Sequence, residues 1–474
     1  MSTCGTTATN PKAILLILAV VALSALGFAG DKKSAPAPAA RPAPQQQRQA
    51  PQQQRQAPQQ QNHANQPQSR QGQQAPVQKQ TYVPRPGDQA KAIAGGRTEI
   101  RSANGQTVTT NAHGQVQRIE APRGLAGGNK IVINRSVNGS RMVQTGRPGA
   151  RVVSFGPGRG FVERPLRSGY ISRTYVVGGH SYAHVYREYN YHGATYYRFV
   201  PAVRYGPRFY GWAATPWGAP MPYAWSGLAT PAPWLGFYPG YFTPESAYAS
   251  PDLWLTDYMI GQNLKLAYEN QLASNADQVS PADNTASTGS GLTPEVKALI
   301  EDEIRQQLVA EKAAAQPTPS NSKKADPVGD QQPPALKQKF FLVSTNLDIN
   351  TPAGQVCSLT PGDMIQRRGT DVAADGSIAI EVVKSKSGAC PADSAATVQF
   401  ADLQEMNNQF REQLNSGLTI LASNQAKGLP SGPASDSRPV TEGTADPIPD
   451  AGIQLATQES DAGRLETQVR QGGN

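Results

Sequence analysis

The chain has 474 residues, 38% of them hydrophobic and 17% charged, with 45 Gly and 40 Pro. Its length allows two or three domains, but Gln, Pro, Gly and Ser crowd into particular stretches that have too little apolar surface to form a core. The net charge of +9 hides a division: Asp31 to Ser250 carries 26 Lys/Arg, 21 of them Arg, against 7 Asp/Glu, whereas the residues after Ser250 carry 17 against 28. An Arg-rich front suits phosphates, carboxylates and aromatic faces. Asp and Glu are nearly absent from its aromatic region, which removes the paired carboxylates that glycoside hydrolysis needs.

Lys12 precedes an apolar run, Ala13 to Phe28, that ends in the small-x-small arrangement Gly27-Phe28-Ala29 before Gly30. Residues 1–29 therefore read as a signal peptide, or as a signal anchor if uncut, and place the rest outside the cytoplasm: in the periplasm, in the cell envelope or secreted. The run is short for a membrane span of about 20 residues, and Lys32 and Lys33 on its far side disfavour an anchor with its N-terminus in the cytoplasm. Any membrane contact would be through this segment alone.

Residues 30–94 form a Pro/Gln-rich stretch in which Pro-Gln-Gln-Gln-Arg-Gln-Ala starts at Pro44 and again at Pro51. It is expected to be a disordered tether. From residue 95 to 250 the rhythm changes to short β-prone runs punctuated by Asn104-Gly105, His113-Gly114, Asn138-Gly139, Gly178-Gly179 and His192-Gly193. Such dipeptides between alternating segments predict an antiparallel meander of hairpins. Gly156-Pro157-Gly158-Arg159-Gly160 lacks the Lys-Ser/Thr ending of a phosphate loop and reads as a loop between strands. Tyr182, His184 and Tyr186 share one strand face at period two. The stretch from Tyr205 to Tyr248, with Trp212, Trp217, Trp225 and Trp234 among many Pro and Gly, is expected to wrap over other structure as irregular coil.

Ser250-Pro251-Asp252 opens an amphipathic helix over 251–275 with Leu253, Ile260, Leu264 and Ala267 near one stripe. A linker (276–292) leads to a second helix over 293–315, opened by Thr293-Pro294-Glu295, with Val296, Ile300, Ile304 and Leu308 at i, i+4 spacing. Such helices are marginal alone and must pack, either on the chain's own body or in a homo-oligomer. After a polar linker (316–336), strands are expected between 337 and 402. Asp402-Leu403-Gln404-Glu405 then resembles a capping box for a helix over 402–424, whose stripe contains Leu403, Met406, Phe410, Leu414, Leu418 and Leu421. The Pro/Gly/Ser/Asp-rich remainder, 425–474, is expected to be a disordered tail.

Cys4 precedes the apolar run, which leaves Cys357 and Cys390 as a pair in an oxidising compartment, and a disulfide between them is expected. Around them, Val343-Ser344-Thr345-Asn346-Leu347-Asp348-Ile349 and Leu359-Thr360-Pro361-Gly362-Asp363-Met364-Ile365 resemble the first strand and the Leu-x-x-Gly-Asp turn of bacterial SH3-like domains, over roughly 60 residues. In the turn, Gly362 permits the tight bend and Asp363 can bond neighbouring amides. The resemblance implies a small β-barrel that binds wall peptides or proteins and carries no chemistry of its own. The fold class expected for the whole chain is thus mainly β with accessory helices.

No motif brings catalysis, cofactors or metal into view. His180 and His184 share a strand face about 13 Å apart, and neither a His-Glu-x-x-His helix nor a Gly-x-Ser-x-Gly elbow occurs. The sequence therefore points to a non-catalytic envelope scaffold or binding protein. Its candidate contacts with anionic or glycan polymers are Tyr182, Tyr186, Arg187, Tyr189, Tyr197, Arg198, Trp212 and Trp217, and its C-terminal domain would engage a protein or peptide partner. The alternatives are a self-assembling structural protein, in which basic fronts meet acidic backs, and nucleic-acid binding through the basic aromatic region, which export disfavours.

Overall fold

The computed structural model describes residues 81–93, 96–122, 130–136, 141–221, 233–238, 240–274, 291–316, 332–350, 356–386, 390–424, 432–433 and 437–471. The expectations for the leader, for most of the tether and the two later linkers, for Trp225 and for the Asn138-Gly139 turn lie outside these residues. Eleven strands pair in chain order, each antiparallel to the next: β1 (Gln89–Ile93), β2 (Arg97–Arg101), β3 (Thr107–Thr110), β4 (Val116–Pro122), β5 (Lys130–Arg135), β6 (Arg141–Arg147), β7 (Ala150–Gly156), β8 (Arg159–Arg167), β9 (Tyr170–Val177), β10 (His180–Tyr191) and β11 (Ala194–Val200). This is the predicted meander. It begins earlier than expected, because the end of the supposed tether supplies β1. Gly178 and Gly179, at φ +57° and +81°, supply the paired positive φ of a primed two-residue turn, and that turn sets Val177 opposite His180 and Tyr175 opposite Tyr182.

Alternation gives this sheet two faces. One is apolar, with Ile100, Val108, Ile119, Ile131, Ile133 and Val143 buried. What covers it corrects the reading of the C-terminus: residues 425–474 are not a wholly disordered tail. Arg438–Pro439 pairs with Val203–Arg204, and a helix over Ala451–Gln471 lies on the apolar face with Ala451, Leu455, Gln458, Ala462, Glu466 and Val469 buried. Gln458 donates to Thr145 Oγ1 (3.0 Å) and to the Val152 carbonyl (2.7 Å), and Glu466 accepts from Arg135 (2.7 Å) and Arg141 (2.9 Å).

Among its described residues the stretch from Tyr205 to Tyr248 is mostly irregular, as expected, but two short helices interrupt it and its rings enter a core instead of only wrapping over one. α1 (Pro207–Ala213) and α2 (Pro233–Phe237) join α3 (Pro251–Ser274) and α4 (Pro294–Ala314) around an aromatic core that buries Phe209, Tyr210, Trp217, Trp234, Tyr241, Tyr248 and Trp254. The expected stripe of α3 does face inward, but Leu255, Tyr258 and Met259 are buried as well, so its N-terminal half is enclosed nearly all round. The buried carboxylates of α3 keep partners: the Tyr248 hydroxyl donates to Asp257 (3.1 Å), itself held by Lys297 (2.8 Å), and Arg305 binds Asp252 (2.6 Å). Thr293 caps α4. Its Ile300, Ile304 and Leu308 are buried in the chain's own core.

A second antiparallel sheet contains β12 (Phe340–Leu342), β13 (Leu347–Asn350), β14 (Val356–Leu359), β15 (Met364–Arg367), β16 (Ser377–Lys384) and β17 (Ala395–Gln399), in the spatial order β12-β15-β16-β17-β13-β14. The Cys357–Cys390 disulfide is present within its core. In the Thr360-Pro361-Gly362-Asp363 turn Gly362 has φ +91°, and a Cβ there would stand 2.9 Å from Leu264 of α3. The Asp363 carboxylate accepts from the Thr360 amide (2.6 Å), the Lys386 amide (2.8 Å) and Lys386 Nζ (2.8 Å). Burial pulls the Lys386 pKa down and Asp363 opposes it.

α5 (Phe400–Asn424) links these parts. Phe400, Leu403 and Met406 enter the core of the small sheet, while Phe410, Leu414, Leu418 and Leu421 enter the aromatic core. Its polar side serves β11: Asn408 accepts from the Phe199 amide (3.0 Å) and donates to the Tyr197 carbonyl (2.9 Å), and Arg411 donates to the Phe199 carbonyl (3.1 Å). A helix thereby satisfies the edge of the sheet that a further strand would otherwise occupy.

Candidate binding trough

Along β1–β10, the face of the large sheet opposite the C-terminal helix looks toward α5, α3 and the small sheet. Between them runs a trough of about 790 Å³. Its floor is the sheet. One wall is α5, through Asp402, Glu405, Gln409 and Glu412, and the other comprises Leu266 of α3 and the segment Ser344 to Asp348.

Across the floor runs a ladder of rings, one from each of four neighbouring strands. Phe155, Phe161, Tyr175 and Tyr182 have successive centroid separations of 6.0, 5.6 and 5.3 Å. Register makes the ladder, since Phe161 pairs with Tyr175 and Tyr175 with Tyr182, and cross-strand partners point to the same face. Tyr182 is 45% exposed and stacked on Tyr175, which leaves an open flat face. Burial raises the Tyr182 pKa to about 12, with Glu412 adding to the effect.

Beside the ladder lies a charge cluster joining the basic and acidic halves of the sequence. Glu163, fully buried, accepts from the Gly149 amide (3.0 Å), from Arg151 (2.8 and 3.1 Å) and from Arg173 (3.0 and 2.7 Å). Arg173 also donates to Glu405 (2.9 and 3.1 Å) and lies between the rings of Phe161 and Tyr186, 4.4 and 4.3 Å from their centroids. The Tyr186 hydroxyl donates to Glu412, which stands 3.1 Å from His184 Nδ1. Burial raises the Tyr186 pKa well above the phenol range, and Arg173 opposes this. Burial pushes Glu405 upward, but Arg173 and Arg151 outweigh it and leave its pKa lowered. For Asp402 the attraction is missing: burial raises its carboxyl to about 6, against the Gln399 amide and with help from Glu405.

The eight candidate residues do not form one site. Tyr182 is in the trough. Tyr186 has no exposed surface and cannot meet a ligand, because α5 covers it. Trp217 is buried and Trp212 packs beside it at 6.3 Å, so both fill the aromatic core. Tyr189 stacks on Tyr196 and donates to Gln404 (2.6 Å), Arg187 lies 5.9 Å from the Tyr170 ring, and Tyr197 and Arg198 are half-buried on β11. Phe155, Phe161, Tyr175, Arg151, Arg159 and Arg173 were missed. The register of the Gly178-Gly179 turn already placed Tyr175 beside Tyr182 and was the available signal. Among the described residues no three His, Cys, Asp or Glu side chains cluster as metal ligands.

Comparison of the chain with protein-family models, with curated proteins and with solved structures gives no match.

Proposed function

We propose that this chain is an exported, non-catalytic binding protein of the cell envelope whose trough holds an extended glycan strand. The observation that carries this reading is the ring ladder, Phe155 to Tyr182, on the floor of an elongated, polar-rimmed trough. Flat apolar faces suit sugar rings, and the flanking guanidinium, carboxylate and amide groups suit their hydroxyls. The small sheet, read as SH3-like from its Leu359 to Ile365 turn, supplies part of one wall and leaves its remaining surface for a protein or peptide partner. The pairs Arg173–Glu405, Arg151–Glu405, Arg159–Glu269 and Arg141–Glu466 satisfy within one chain the charge complementarity that self-assembly would need between chains. The test is co-sedimentation of the full-length protein with insoluble cell-wall polysaccharide. Tyr182→Ala and Phe155→Ala should each reduce retention several-fold while leaving the melting temperature within a few degrees; undiminished retention of both variants refutes the trough.

A further inference from the structure

At the exposed end of the ladder the trough has a positive charge that its own carboxylates only partly answer. Arg159, which opens β8 after the Gly156-Pro157-Gly158 turn, has a side chain only 13% exposed and lines the trough. Glu269 of α3 stands 3.2 Å from its Nη2, while Nε and Nη1 have no hydrogen-bond acceptor. Arg151 and Arg173, on the same floor, instead share the buried Glu163 and reach Glu405 as well. Glu269 is itself divided, because Lys265, one helical turn earlier, lies 3.8 Å from its other oxygen. Two cations thus share one carboxylate, and that carboxylate is about one-third exposed, so its pull on Arg159 is weakened by water. Burial lowers the Arg159 pKa despite Glu269 and the nearby Tyr182.

A buried guanidinium with unused donors is costly unless something supplies acceptors. Here the neighbouring Tyr182 offers a ring-sized apolar face at the same place. We propose that the trough selects a glycan whose sugars carry carboxylates, with one sugar ring on Tyr182 and its carboxylate on Arg159. This rests on the glycan reading above and adds the chemical class of the ligand. Nε and Nη1 are enclosed, so a ligand carboxylate engages them by displacing Glu269 as the guanidinium rotates, and then forms charge-assisted bonds with them. The ladder supplies affinity for the sugar backbone, and Arg159 distinguishes acidic from neutral chains.

The experiment is calorimetric titration of the full-length protein at low and moderate salt with two probes of one backbone, polygalacturonate and its fully methyl-esterified form. The acid form should bind at least tenfold more tightly, since a hydrogen bond to a charged partner contributes on the order of 1.5–3 kcal/mol, and the difference should shrink as salt rises. Arg159→Gln should abolish the difference, whereas Tyr182→Ala should weaken both probes. Because the first comparison uses the unaltered protein, a folding defect in a variant cannot imitate it. Equal affinity for the two probes, with Tyr182→Ala still weakening both, overturns the acidic selectivity and leaves the glycan trough standing. Binding of neither probe, or binding untouched by Tyr182→Ala, overturns both.

Discussion

Replacing Glu163 by Gln should be among the most damaging single changes in the large sheet. Its carboxylate is fully buried and receives five N–H contacts, from Gly149, Arg151 and Arg173. The amide of Gln keeps one acceptor oxygen but turns an NH₂ group toward guanidinium donors, so Arg173, 3% exposed, keeps its charge with half its compensation gone. Breaking a buried pair by removing one partner costs about 3–5 kcal/mol, and this value is expected for Glu163→Gln. Glu405→Gln removes the other partner of the same Arg173, but Glu405 is 37% exposed and water replaces it; about 1 kcal/mol is expected. Arg173→Met added to Glu163→Gln should cost far less than it does alone, because the orphaned charge is already the damage. Urea titration reads all four variants, the three single changes and the double, as shifts of the midpoint at constant slope. Equal losses for Glu163→Gln and Glu405→Gln would refute the reasoning, since burial would then not be what sets the magnitude.

Asp402, raised from 3.8 to about 6, binds its proton more tightly in the fold than in the unfolded chain. Its penalty is absent below about pH 4, develops between 4 and 6 and is complete above 6, at most about 3 kcal/mol; Asp402→Asn should raise stability at pH 7 and flatten the acid side of the profile. Glu405, with a lowered pKa, works the other way and loses its contribution as pH falls, so only the difference between wild type and Asp402→Asn isolates Asp402. Reduction of Cys357–Cys390, which lie 33 residues apart, should cost about 3–4 kcal/mol on the chain-entropy estimate, read as a lower denaturation midpoint with reductant. Leu455→Ala, at a side chain 2% exposed between the C-terminal helix and the sheet, should cost about 2–4 kcal/mol and speed proteolysis after residue 437; unchanged cleavage would count against that helix as part of the core.

The meander was legible because its turns are spelled by glycine pairs and its strands alternate. The cysteine pair was legible because two remain after the apolar run. The C-terminal helix escaped notice for a physical reason: of its inward positions only Leu455, Val469 and the partly buried Leu465 are large and apolar, while Ala451, Gln458, Ala462 and Glu466 are small or polar. Gln458 and Glu466 are buried because sheet atoms 306 and 331 residues away satisfy them, which no local pattern encodes. The aromatic stretch looked like a covering loop for the same kind of reason. Tyr and Trp among Pro and Gly lack a period, and only the enclosure by α3 and α4 turns them into a core. For the trough, composition displayed a basic half and an acidic half, but the meeting of Arg173 with Glu405, and of His184 with Glu412, needed the path of α5.

The helix over Ala451–Gln471 also imposes an order on biogenesis. Strands near residue 100 are made about 350 residues before the surface that shields their apolar side. Throughout synthesis the growing polypeptide therefore exposes a bare row of Ile and Val, the kind of surface that promotes clumping. Loss of only the final few turns would leave every strand intact in sequence while removing its lid, so a shortened product should be recognised as defective even though its trough residues are all present.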